Sequence, residues 1–452
     1  MTQLKKLIIA GALLLITAAG ARAQDSVPPL RLTLNDCIRI ALNDNPTIKV
    51  NEMEIERVDY AKKETLGQLF PEITLSGQYT RNLSLQTMYM DTGQGEVVGI
   101  KMGRDNTYAG GFSASIPLVV PTLWKSIKLS DNQILQNIEA ARANKLALVN
   151  QVKNAYYALL LAQDSKQVIE ENHSTAQLYA KVYKKQFEIG TASEYDTLRA
   201  NVAVINLEPS LLETENSIKQ LKLQLKVLMG MDVRTPIEPA QRLDDFKNTM
   251  YERVLATDTS LVSNTTLKTL DLQTDYLKKA LDTQKMSWYP TLSGNASLTW
   301  HSMSNGNPFK NFLWSKASSV GLTLAFPIFQ GGRRYYKQKQ AEIAVKEMKW
   351  QRENAERSLH MQVQAQVDNI RKSIKQIESN EAGVRQATQA SDIMHKSFDM
   401  GSGTFLQVRD TEDALMNARL TYYQAIYYYL VAESDLEHVL GTAPLAAYGD
   451  NK

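Results

Sequence analysis

The sequence predicts an α+β membrane protein built as two tandem repeats, each joining two transmembrane β-strands to a long antiparallel α-helical coiled coil. Three observations lead there: an internal duplication, strictly alternating strand segments, and proline-free stretches with a heptad pattern. The chain has 452 residues, 43% of them hydrophobic and 22% charged, with a net charge of +3. So small a balance selects neither nucleic acid nor a strongly acidic partner.

The duplication comes first. Asn45 to Pro71 aligns without gaps to Asn264 to Pro290. Both segments begin at Asn, carry apolar residues at helical period and end in aromatic-Pro. Further on, Phe187-Glu188-Ile189-Gly190-Thr191 matches Phe398-Asp399-Met400-Gly401-Ser402, and Met229-Gly230 matches Leu440-Gly441 at the same offset. The repeats are assigned to 24–230 and 253–441, with a linker or equatorial segment at 231–252 and a tail at 442–452. Each reads as helix, strand, loop, strand, very long helix, tight turn, helix.

The strands lie in hairpins at 71–121 and 290–328. After Pro290, Leu292, Gly294, Ala296, Leu298 and Trp300 share one face, while Thr291, Ser293, Asn295, Ser297 and Thr299 share the other. The first copy repeats this with Ile73, Leu75, Gly77 and Tyr79 against Thr74, Ser76, Gln78 and Thr80. On the returning strands, Phe112, Ala114, Ile116 and Leu118 oppose Ser113 and Ser115; Val320, Leu322, Leu324, Phe326 and Ile328 oppose Gly321 and Thr323. Period-two alternation over about ten residues fits a transmembrane strand. Four strands cannot end in open edges within lipid, so copies of the chain must close the sheet. Two copies make a small side-chain-filled barrel, and three make one wide enough for a water-filled bore. The connections 82–109 and 301–319 read as exposed, poorly patterned loops.

The long helices are expected at 123–189 and 333–400, with return helices at 194–228 and 405–440. Roughly 67 residues at 1.5 Å each span ~100 Å. Leu148, Val152, Ala155, Leu159, Ala162, Ile169, Ala176, Ala180, Tyr183 and Phe187 form a heptad seam interrupted at Lys166 and His173. Glu208-Pro209 predicts a kink or break in the first return helix. Strands belong in lipid and coils in water, so together they describe a tube.

At the N-terminus, Lys5 and Lys6 precede an apolar run from Leu7 to Ala19 and an Ala21-Arg22-Ala23 cleavage site, the pattern of a signal peptide over 1–23. Gln24 follows, where a lipid anchor would need Cys. Cys37 is the one cysteine, so packing or oligomerisation must replace intramolecular disulfides.

These residues resemble the TolC family of outer-membrane efflux proteins. Leu32-Thr33-Leu34-Asn35-Asp36-Cys37-Ile38 through Ala41-Leu42 and Asn45-Pro46 is similar to its opening motif. Phe326-Pro327-Ile328-Phe329-Gln330-Gly331-Gly332-Arg333-Arg334 is similar to its signature entering the second long helix, and Phe398 to Ala414 to its periplasmic tip. The resemblance implies a homotrimer with a 12-strand β-barrel in outer-membrane lipid and an α-helical coiled-coil tunnel in the periplasm. It implies a passive channel of a tripartite efflux or type I secretion system of a Gram-negative bacterium. Substrate would arrive from an inner-membrane RND, ABC or MFS transporter through a periplasmic adaptor (membrane fusion) protein.

By the same resemblance, the turns Gly190-Thr191-Ala192-Ser193 and Gly401-Ser402-Gly403-Thr404 would dock the adaptor. Two acidic positions that line the family's periplasmic aperture fall at Gln407 and Asp410, of which only the second is acidic. An often-basic position falls at Gly403 and an often-tyrosine one at Phe398, so other contacts must hold the closed state. The rival readings are a periplasmic adaptor and a structural exported coiled coil, both without lipid-facing strands.

The sequence carries no pattern for catalysis, cofactor or metal. His173, His301, His360, His395 and His438 lack ligand spacing, and Gly331-Gly332-Arg333-Arg334 lacks the phosphate-loop lysine. The charged stretch 342–357 reads as a solvated coil face. Tyr422, Tyr423, Tyr427, Tyr428 and Tyr429 read as packing near a helix junction.

Overall fold

The computed structural model describes residues 28–91, 93, 95, 97–250, 259–305 and 313–448. The signal peptide 1–23 lies outside them. The chain divides into two units, one of residues up to Ile48, Lys145–Ser260 and Val363 onward, the other of Lys49–Asn144 and Leu261–Gln362.

In the first unit, β1 (Leu30–Leu32) pairs in parallel with β6 (Ile237–Pro239). Helix α1 (Leu34–Asp44) starts on a Thr33–Asp36 capping box. It stops at Asn45, whose extended backbone is what the following Pro46 enforces. The single opening helix expected of the first repeat is therefore two, α1 and α2 (Pro46–Gly67). Asn45 serves the junction twice: its side chain accepts from Thr47 N (2.7 Å) and donates to Leu228 O (2.8 Å). Leu228 belongs to α4 (Glu194–Met229), which ends at left-handed Gly230. A Cβ there would sit 2.6 Å from the Asp44 carbonyl oxygen, so only glycine fits.

Helix α3 (Pro121–Glu188) supplies the unit's core through Val152, Tyr156, Leu159 and Leu160, all nearly inaccessible. The heptad seam is buried at Leu148, Val152, Ala155, Leu159, Ile169 and Ala180; Ala162 and Ala176 are half-buried, and Phe187 at the helix end is exposed. Helix α4 continues unbroken through Pro209, correcting the expected break. The Ile205 carbonyl that loses its donor lies on an exposed face, where water can satisfy it.

The linker also has structure that its sequence concealed. Beyond β6 a 3-10 helix, Leu243–Thr249, is pinned to α3. Arg242 donates to Asp164 Oδ1 (2.7 and 2.9 Å) and Leu243 N to Asp164 Oδ2 (3.2 Å), while Phe246 meets Tyr157 edge-on. Asp164 is the buried partner, and its hydrogen bonds offset what burying the charge costs.

In the second unit the chain forms β2 (Glu72–Arg81), β3 (Gln86–Asp91), β4 (Val97–Met102), β5 (Asn106–Val119), α5 (Thr265–Met286), β7 (Thr291–Ser304) and β8 (Ser315–Ala325). Helix α6 (Arg333–Asp399) begins in the second unit and ends in the first, and α7 (Phe405–Leu440) belongs to the first. The expected hairpins are not separate: β5 pairs with β7, giving one antiparallel sheet of order β2-β5-β7-β8. Two loop assignments need correction. Segment 82–109 contains the β3–β4 hairpin, and 301–319 is partly strand, because β7 runs to Ser304 and β8 starts at Ser315. Strand β8 ends at Ala325, so Phe326 and Ile328 lie beyond it.

Candidate functional site

Two features of the structure bear on function: the faces of the four-stranded sheet, and the turns where the helices reverse.

The sheet register lines up the alternating residues across all four strands. One row reads Ile73, Ala114, Ala296, Val320; the next reads Leu75, Phe112, Leu298, Ser318. The opposite face reads Thr74, Ser113, Ser297, Ser319. Its hydroxyls pair across strands, Thr74 with Ser113 at 2.6 Å and Ser297 with Ser319 at 2.7 Å, and Asn295 donates to Thr323 at 2.9 Å. One face is thus largely apolar and the other polar, with Glu72 at the start of β2 as its one carboxylate. The apolar face is open: Val320 is 89% and Leu322 72% exposed. Among the described residues, β2 and β8 have a strand partner on one side only.

Past β8, Gly331 and Gly332 adopt positive φ (61° and 78°), turning the chain into α6. Arg334 then folds back. It is buried, donates to the carbonyls of Ser287 (3.2 Å) and Pro327 (2.5 Å), and lies over the Trp288 ring at 4.5 Å. One guanidinium therefore fixes the exit of β8 to the entry of β7, a use of its fork that Lys could not duplicate. Exposed aromatics gather along these entries and exits: Phe70 before β2, Trp288 and Tyr289 before β7, Phe326 after β8. Such girdles mark membrane interfaces.

The two turns use the same devices. Gly190 and Gly401 take positive φ (78° and 76°) after α3 and α6. Ser193 and Thr404 then cap α4 and α7. Gln407 completes a capping box by accepting from Thr404 N (3.0 Å), which the sequence reading did not foresee. Gly403 is packed so tightly that a Cβ would lie 3.0 Å from Phe398 N. Asp410 is exposed one turn into α7.

Behind the turns, Tyr179, Ala180, Ala200, Phe405 and Val408 form a buried cluster with Tyr183, Val204, Met394 and Phe398 against it. Phe398 meets Tyr179 edge-on, with centroids 5.2 Å apart. From this cluster a polar chain runs outward. The Tyr179 hydroxyl is 2.6 Å from His395 Nδ1, His395 Nε2 is 2.6 Å from Glu412 Oε1, and Ser391 also donates to Glu412. A carboxylate only accepts, so Nε2 carries the proton toward Glu412, and in that tautomer Nδ1 accepts from the tyrosine. Burial pushes the Tyr179 hydroxyl up to about 12, keeping it protonated as that donor. Three helices, α3, α6 and α7, are tied by these side chains. Nothing in the sequence pointed to Tyr179 or Glu412. A cleft of about 270 Å³ beside them is lined by Asn206, Arg409 and Asp413 among others.

Among the described residues, no group of His, Cys, Asp and Glu is arranged to hold a metal ion, and no helix is long and apolar enough to cross a membrane.

The family model described as "Outer membrane efflux protein" matches residues 37–231 and 256–442. The chain is 22% identical over 377 residues to the outer membrane protein TolC of Vibrio cholerae, covering 83% of this chain and 82% of that one. It is 24% identical over 418 residues to the alkaline protease secretion protein AprF of Pseudomonas aeruginosa, covering 91% and 84%. In fold it matches the crystal structure of the CmeC outer membrane channel of Campylobacter jejuni with a TM-score of 0.72 at 15% identity, covering 90% of this chain and 85% of that one. With both halves of the duplication inside the family match, the chain belongs to the outer membrane efflux protein family: it is an outer-membrane channel extending into the periplasm, of the kind that serves efflux or type I secretion.

Proposed function

We propose that three copies of the chain close their sheets edge to edge into a 12-strand β-barrel and join their helices into a periplasmic tunnel. The observation that carries this reading is the sheet with one open apolar face, one polar face with a single carboxylate at Glu72 and, among the described residues, two unpaired edges. In lipid the edges must pair, β2 of one copy with β8 of the next. Three copies supply twelve strands, whose polar faces enclose a wet bore.

The channel is a passive conduit. A periplasmic adaptor docks on the turns Gly190–Ser193 and Gly401–Thr404, and an inner-membrane transporter of the RND, ABC or MFS class supplies energy and substrate. By its name the Pseudomonas relative serves protein secretion; this chain's cargo is set by its pump. The periplasmic aperture lies at Phe398, Gly403, Gln407 and Asp410. Gln407 is engaged as a helix cap and Phe398 in the aromatic cluster, so Asp410 is the carboxylate free to line it. Three Asp410 side chains then form a weak cation-selective ring. In place of the family's basic and tyrosine contacts, Tyr179, His395 and Glu412 hold the closed tip, and opening is a rearrangement of these helices biased by the adaptor.

The test is single-channel recording of the purified protein in planar lipid bilayers. Discrete conductance steps are expected; a protein that inserts yet never conducts rules the conduit out.

A further inference from the structure

Among the described residues, the β3–β4 hairpin is found in the first repeat only, and the channel reading gives it no task. It is an isolated two-stranded sheet, which is marginal alone in water. One of its faces holds Met88, Met90, Val98, Ile100 and Met102, cross-paired as Met88–Ile100 and Met90–Val98. All five are between 45 and 51% exposed. The other face is mixed, with Thr87 opposite Lys101 and Tyr89 opposite Gly99. A contiguous apolar patch of this kind marks a surface that something covers.

The way the hairpin leaves the sheet says what covers it. The β2–β5 ladder ends at Arg81–Asn106, and the β3–β4 ladder begins at Gln86–Met102. Residues 82–85 join one arm and 103–105 the other, so the β2–β3 arm carries one extra residue. On β2 the apolar face is odd-numbered (Ile73, Leu75, Tyr79); on β3 it is even-numbered (Met88, Met90). The other arm is even throughout, from Ile100 and Met102 to Phe112 and Ala114. The extra residue hands the apolar face of the sheet on to the apolar face of the hairpin.

The junction is also anchored. Asn82 N donates to Asp105 O (2.7 Å), Asn82 Nδ2 to Arg104 O (2.8 Å), and Asp105 N to Asn305 Oδ1 (3.0 Å); Gly103 supplies a positive φ of 95°. A hairpin tipped inward over the bore would turn its apolar face up into water. Tipped outward, the same face comes down on lipid. Arg81 and Arg104 are exposed near this bend, placed for lipid phosphates.

We infer that the β3–β4 hairpin is an interfacial anchor, its Met88, Met90, Val98, Ile100 and Met102 face lying on the outer leaflet of the outer membrane. The inference rests on the barrel reading and extends its lipid-facing surface past the rim.

The test uses the full chain in proteoliposomes of phosphatidylethanolamine and phosphatidylglycerol. An environment-sensitive fluorophore is placed at Met90→Cys or, on the opposite face, at Thr87→Cys. The native Cys37 is buried and its thiol pushed up to about 12, so it does not compete for label. Expected is a blue-shifted label at position 90, quenched at least threefold more strongly by bilayer spin-labelled lipid than the label at 87. Equal quenching of both positions by aqueous iodide overturns the anchor. So does excimer formation between pyrene labels at position 90, which would mean that sister hairpins cover one another. Conductance of the same labelled samples reports on the channel separately, so a silent bilayer with a lipid-quenched label would sink the conduit and leave the anchor standing.

Discussion

The hydroxyl of Tyr179 on α3 lies 2.6 Å from Nδ1 of His395 on α6, joining the first repeat to the second across residues that no sequence motif links. His395 hands the connection to Glu412 on α7, so a single imidazole ties three helices.

Tyr179→Phe removes the first of these bonds and leaves His395 Nδ1 without its donor. A hydrogen bond of this kind contributes about 1 kcal/mol, which corresponds to roughly fivefold in the ratio of open to closed tips. Expected is a comparable rise in open probability in planar bilayers, with Glu412→Gln acting in the same direction. An unchanged gating pattern in both variants would free the tip of this latch.

Asp410→Asn removes the one acidic side chain at the aperture positions. Cation preference, read as a reversal potential across a salt gradient, should fall while conductance changes little. Identical selectivity in the variant would place Asp410 outside the constriction.

Leu159→Gly tests the coil seam. Leu159 is fully buried on α3. The cavity and the helix penalty of glycine together cost roughly 3–6 kcal/mol. Limited proteolysis of the helical region should accelerate strongly while the sheet remains inserted; cleavage at the parent rate would remove this residue from the seam.

His438 provides a pH dependence. Burial holds this histidine below its ordinary value of 6.5, partly opposed by Asp435, so the unfolded chain binds its proton more readily than the folded one. Its contribution to stability is complete above the unfolded value and is lost as pH falls through the lower folded value. The thermal midpoint should therefore drop between pH 7.5 and pH 5.5, and His438→Gln should flatten that drop. Parallel curves for parent and variant would assign the pH response elsewhere.

Much of this architecture was legible in the residues because its signals are periodic. Leu292, Ala296 and Leu298 against Ser293, Asn295 and Ser297 announce a two-faced strand, and register then aligns them with Ala114, Phe112 and Val320. Repetition made Asn45 and Asn264 recognisable as boundaries, and both prove to be hydrogen-bonded caps. What stayed hidden is short or non-local. Strands β1 and β6 span three residues each, too few for a pattern. Hairpin β3–β4 was masked because Val97-Val98 and Tyr89 blur its alternation. The Asp164–Arg242 and Tyr179–His395–Glu412 contacts join residues far apart in the chain, where only the folded helices bring them together. At the tip, the capping of α7 by the Gln407 side chain was equally hidden, because it depends on the folded turn at Thr404.

The claim on which the rest depends is closure of the sheet by sister copies. Native mass spectrometry of the protein extracted in detergent from outer membranes addresses it directly. Three chains per particle, dissociating only with loss of the sheet, is the expected result. A single chain that stays soluble after detergent removal would contradict it, since the apolar row through Ala296 and Val320 would then face water with nothing to cover it.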